Sequence, residues 1–278
     1  MKTTIAKIDK FFYDLYTNGE SSKTELVNFF NDYITYILEY NNFNASKFNI
    51  SIHLINNFDI TVQDFATKHK KKHKKKQRNK ENAKKYQFNE FIKTIAYCVI
   101  DIKSNTFNVY LNEKNCKITD INDMDDFIAN ISSLGHEVEH LVQEYTSPDV
   151  VRSCENAYDA KLTAFEDFSH FHKHEKRLVR KLAKKLHAHA DNFSLLNTCE
   201  TNADNNSVAY FNELFKFIKN STNRERPYYY FLYDICIQME RIQQARERLY
   251  KTCEKQEKAL KKSLIRDFKI DEKILIIP

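Results

Sequence analysis

Residues 127–143 read Phe127-Ile-Ala-Asn-Ile-Ser-Ser-Leu-Gly-His136-Glu-Val-Glu-His140-Leu-Val-Gln143. Apolar residues at Phe127, Ile131, Leu134, Val138, Leu141 and, just beyond, Tyr145 are spaced 4, 3, 4, 3 and 4, one stripe of an amphipathic helix. Asp123 or Asp125 suits its N-cap. At about 100° per residue, His136 and His140 project from the opposite side together with Ser132 and Gln143. One face is built for a core, and the other presents two imidazoles and small polar groups to a cleft. Residues four apart share a helix face, so the two histidines can grip one metal ion while Glu137 flanks a metal-bound water. The competing reading is a solvated helix with two surface histidines. The H-E-x-x-H pattern is short, so its context has to decide between them.

Upstream, Phe48 to Ile55 alternates between apolar and polar residues as far as Leu54 and reads as a strand. Ala96 to Ile102 and Thr106 to Leu111 read as two more, joined by the turn-forming cluster Lys103-Ser104-Asn105. A strand, a hairpin and then a helix with H-E-x-x-H resembles the amino-terminal half of the zincin metallopeptidases. The chain looks most like their small forms with H-E-x-x-H-x-x-Q, here His136 to Gln143. The resemblance covers about residues 46–220. It implies an α+β, predominantly helical fold with a zincin-like core. In that core a small sheet of three or more strands packs on the motif helix. Residues 1–45 and 221–278 would then be helical additions.

A catalytic zinc takes three protein ligands and keeps a position for water. Two downstream segments supply a third ligand of the E-x-x-x-D form, Glu155-Asn-Ala-Tyr-Asp159 and Glu200-Thr-Asn-Ala203-Asp204. The resemblance favours Glu200, because Glu200 to Asp204 matches the E-x-x-A-[DN] signature of the small zincins. It implies that Asp204 orients a ligand histidine from behind. Glu200 also opens a stretch with Val208, Phe211, Phe215 and Ile218 at helical spacing. Glu155 stays open as the alternative. His170, His172, His174, His187 and His189 cluster in a basic stretch that reads better as a solvated face than as ligands. Cys199 reads as a buried small hydrophobe rather than a soft ligand.

With 42% hydrophobic residues and only two Gly and three Pro in 278, the chain is expected to be compact and mostly helical. Six cysteines without C-x-x-C pairing read as reduced thiols, which implies a cytoplasmic protein. No stretch has the length and apolarity of a membrane span, and Thr3 to Tyr16 reads as an amphipathic helix rather than a signal peptide. A second helix follows, capped by Ser22, with Leu26, Phe29, Phe30, Ile34 and Ile37 on its apolar side. After Pro227 a long helix runs to about Leu264, with its stripe at Ile235, Met239, Ile242, Ala245 and Leu249. The tail from Lys273 to Pro278 is apolar enough to add a strand.

Net charge is +6, but Lys68 to Lys85 alone carries +10, leaving about −4 on the rest (+6 less +10). This run has no interleaved aromatics, so it lacks stacking platforms for single strands. It reads either as a solvated insertion or as a weak tether to nucleic acid or another polyanion.

Together these readings lead to a zinc-dependent peptidase acting on protein or peptide. His136, His140 and Glu200 would hold Zn²⁺, Glu137 would be the general base, and Tyr158 or Tyr210 a second oxyanion donor. The rivals are a non-catalytic binding protein on the same scaffold, or a protease carried to nucleic acid by the Lys run. An intact Glu137 argues against the first, since a binding-only protein has no use for the base.

Overall fold

The computed structural model describes residues 1–55, 96–112, 118, 124–157 and 176–275. The Lys68–Lys85 run, Tyr158, Asp159, His170, His172 and His174 lie outside them, as does the end of the tail. The described chain is mostly helical with one small sheet. The helices are α1 (Lys2–Asn18), α2 (Lys23–Tyr40), α3 (Met124–Thr146), α4 (148–157), α5 (Lys176–Leu196), α6 (Thr198–Ser221) and α7 (Arg226–Phe268). The strands are β1 (Asn49–Ile55), β2 (Ala96–Asp101) and β3 (Thr106–Asn112). No helix among the described residues is long and apolar enough to cross a membrane.

Local chemistry explains several boundaries. Helix α1 ends at Gly19, which takes φ 74 and returns its N–H to the Leu15 carbonyl. Helix α2 starts with a capping box. Ser22 Oγ accepts from the Glu25 N–H at 3.2 Å, and Glu25 Oε2 accepts from the Ser22 N–H at 2.7 Å. Between β2 and β3 the turn closes with Asn105 at φ 50, a conformation asparagine tolerates well. β3 is central, antiparallel to β2 and parallel to β1, giving the order β1-β3-β2. The tail departs from the strand expectation, since Glu272–Leu275 is a 3-10 turn.

The chain forms two compact units. The first comprises Met1–Val138 with Tyr210–Met239. Its core is aromatic: Phe12 meets Phe29, Phe127 and Phe211 at centroid distances of 5.2, 6.4 and 5.8 Å. Buried Asp9 accepts from Arg224 and from the Tyr228 hydroxyl, both at 2.9 Å. That contact ties α1 to the start of α7, and it makes Arg226-Pro-Tyr-Tyr-Tyr-Phe231 a docking segment through Tyr228.

The second unit comprises Glu139–Ala209 with Glu240–Pro278. Within it α5 and α7 pack through Leu182, Leu186 and Leu264, with Leu275 beneath. The stripe of α7 differs here from the expected one. Ala245 and Leu249 are exposed, whereas Cys253, Glu257 and Leu264 are buried. The reason is His189 of α5. It is buried rather than solvated, and its Nδ1 lies 2.5 Å from Glu257 Oε1, drawing a polar residue into the contact. Asn192 adds a hydrogen bond to the same carboxylate at 3.2 Å.

Candidate metal centre

Helix α3 opens at Met124 with Asp125 and Asp126 in its first turn, where carboxylates suit the positive end of the helix dipole. The expected stripe is buried from Phe127 to Leu141. A second buried stripe runs beside it through Ile128, Ser132, Gly135, Glu139, Val142 and Gln143. Ser132 and Gln143 therefore do not face an open cleft. His136, Glu137 and His140 remain half-buried on the least covered side. Ile128, Gly135 and Val142, spaced by seven, are the sequence signal for the extra coverage.

Helix α6 sets the position of Glu200. Asn197 Oδ1 accepts from the Glu200 N–H at 2.8 Å, so Asn197 caps the helix and Glu200 sits in its first turn. The cap has no place in the sequence reading, although an Asn three residues before a Glu is a recognisable signal. The carboxylate reaches His140, with Oε1 lying 3.5 Å from Nε2. His136 precedes His140 by one turn of α3. The ligand-competent atoms of His136, His140 and Glu200 all lie within 4.8 Å of one another.

Gln143 explains how His140 is oriented. Its Nε2 donates to the Cys199 carbonyl at 3.0 Å, which requires the amide nitrogen on that side. Its Oε1 then faces His140 Nδ1 at 3.2 Å and can only accept, so the proton resides on Nδ1. In the neutral imidazole, His140 Nε2 would then present its lone pair toward Glu200. Two lone-pair atoms at this separation repel unless a cation or a proton lies between them. Tetrahedral zinc with N and O ligands near 2.05 Å would separate those atoms by about 3.3 Å, close to what is found. The donor set thus fits zinc.

The surroundings complete the electrostatics. Buried Glu139 accepts from Asn206 at 2.9 Å and from Gln143 at 3.4 Å, which links α3 to α6 behind the histidine. Asp204 is buried and pairs with Arg246 at 2.7 Å. Glu155 is exposed on α4, outside the three-residue group. Burial, and then the charge of Glu155, raises the Glu144 carboxyl above its ordinary range. Cys199 lies against Cys154, sulfur to sulfur 3.6 Å, and burial pushes its thiol up to about 12. Tyr210 is a buried residue of the first unit whose hydroxyl accepts from Asn41 at 3.0 Å.

Compared with protein-family models, with curated proteins and with solved structures, the chain shows no match.

Proposed function

We propose that this protein is a zinc-dependent peptidase in which His136, His140 and Glu200 hold the metal and Glu137 is the general base. The supporting observation is the convergence of two imidazoles of α3 and one carboxylate of α6, with a further carboxylate, Glu137, next to the first histidine in sequence. Three protein donors on half-buried side chains suit a catalytic site, which keeps one position open, better than a closed structural one. Zinc held there would lower the pKa of a coordinated water and polarise a scissile carbonyl. Glu137 takes a proton from the attacking water and delivers it to the departing amide nitrogen. Gln143 keeps His140 in the Nδ1–H tautomer, and Asn197 keeps Glu200 in the helix turn that faces it. The peptide bond as substrate rests on the resemblance to the zincins.

The test is elemental analysis of the purified protein together with hydrolysis of fluorescein-labelled casein. About one zinc per chain is expected, lost on Glu200→Gln and kept on Glu155→Gln. Glu137→Gln should retain the metal and lose hydrolysis by a factor on the order of 10² to 10⁴. A parent protein that takes up no zinc on reconstitution would refute the assignment.

A further inference from the structure

The second unit carries a feature that a metal centre does not explain. Helices α5 and α7 lie side by side and antiparallel. Lys185 Nζ donates to Ser263 Oγ, and further along α5 Asn192 meets Glu257, earlier on α7. Beneath this line Leu182, Leu186 and Leu264 form the shared core. Above it Lys181 and Lys184 of α5, and Lys255, Lys258 and Lys262 of α7, are all exposed. At 100° per residue, Lys184 points directly away from the buried side of α5, and Lys255 and Lys262 away from that of α7. Lys181 leans to the side on which Lys185 reaches α7, so both helices contribute lysines to one face.

Counter-charge is scarce on this face. From Lys181 to Ala190 α5 carries no acidic residue. Across Lys255–Arg266 the one acid of α7 is Glu257, buried against His189. Exposed Glu254 and Asp267 stand at the two ends of this stretch, and Asp267 is held by Arg266 and Ser263. Lys181 and Lys184, Lys255 and Lys258, and Lys258 and Lys262 are three or four residues apart on one helix, spacings at which like charges destabilise it. Repulsion repeated along two docked helices is offset when a polyanion lies across them.

We infer that this two-helix face binds the phosphate backbone of duplex nucleic acid without choosing sequence. Lys255 to Lys262 spans about 10 Å of helix. The neighbouring helix axis lies about 8–10 Å away. Such a patch meets several phosphates of a duplex that carries one charge per about 1.7 Å of its axis. Among the described side chains, no aromatic or large apolar one is exposed between these lysines. Base stacking and membrane insertion therefore have nothing to work with here. The face does not depend on the metal site, and it is built from other residues than the Lys68–Lys85 run.

The experiment is fluorescence anisotropy of a fluorescein-labelled duplex of about 30 base pairs, titrated with the 278-residue chain between about 50 and 200 mM salt. The wild type should bind with a log–log salt slope of about −4. The K184E/K258E/K262E variant should bind about tenfold or more weakly, with a slope shallower by about 3. The K70Q/K71Q/K72Q variant should leave the face's share of the slope in place. A thermal melt checks folding, and K184Q/K258Q/K262Q, gentler on the helices, should flatten the slope similarly. Wild-type affinity in both face variants would overturn the inference. So would binding to vesicles containing 30% phosphatidylserine without binding to the duplex, which would make the face a membrane contact.

Discussion

Gln143 does two jobs with one amide: its nitrogen is held by the Cys199 carbonyl, and its oxygen holds His140 Nδ1. Removing the oxygen frees the imidazole to rotate and to change tautomer. Gln143→Leu should therefore weaken zinc binding by about 10- to 100-fold without removing a ligand, read by competition with a chromophoric chelator. Unchanged affinity would show that the ring is held by something else. The Glu257 carboxylate, by contrast, faces buried His189 and is not one of the three candidate ligands. Glu257→Ala should destabilise the protein by about 3 kcal/mol, because it strands a buried imidazole, while leaving zinc content unchanged. Urea denaturation reads the first effect and elemental analysis the second. Both residues were visible in the chain. What they touch was not, because each partner comes from another helix.

At the scale of the element, the capping box on α2 gives a prediction with a defined pH sense. Hydrogen bonds from Ser22 hold the Glu25 carboxyl below its ordinary range. The stabilisation is complete above the unfolded value of about 4.3 and is lost as pH falls through the lower folded value. Ser22→Ala should cost about 1 kcal/mol at neutral pH. It should also reduce the loss of stability on acidification, as followed by thermal melts from pH 7 to 3. A wild-type profile in the variant would mean the box contributes nothing. Ser22 and Glu25 are three residues apart, so this element was readable without knowing the fold. Helix α7 was readable in kind but not in facing. Its periodicity allowed a stripe through Ala245 and Leu249, and only the packing of α5 selected Cys253, Glu257 and Leu264.

At the scale of the molecule, stability of the first unit concentrates in an aromatic cluster drawn from α1, α2, α3 and α6. Phe12 is fully buried at its centre. Phe12→Ala should cost about 3–5 kcal/mol in urea denaturation, since it opens a cavity among rings that cannot all move inward. A cost below about 1 kcal/mol would mean that the cluster collapses freely around the gap. The sequence by itself determined the helices, the hairpin turn and the one-turn offset of His136 from His140, because these depend on residues only a few positions apart. It also singled out Glu200, through the resemblance of its short motif. Only the tertiary structure brought Glu200 to His140, turned Gln143 and Glu139 inward, joined β1 to β3 in parallel and set the lysines of α5 beside those of α7. These are contacts between residues distant in the chain. A one-dimensional period shows which face of an element is apolar, but the partner of that face is decided when burial of all the faces is satisfied at once.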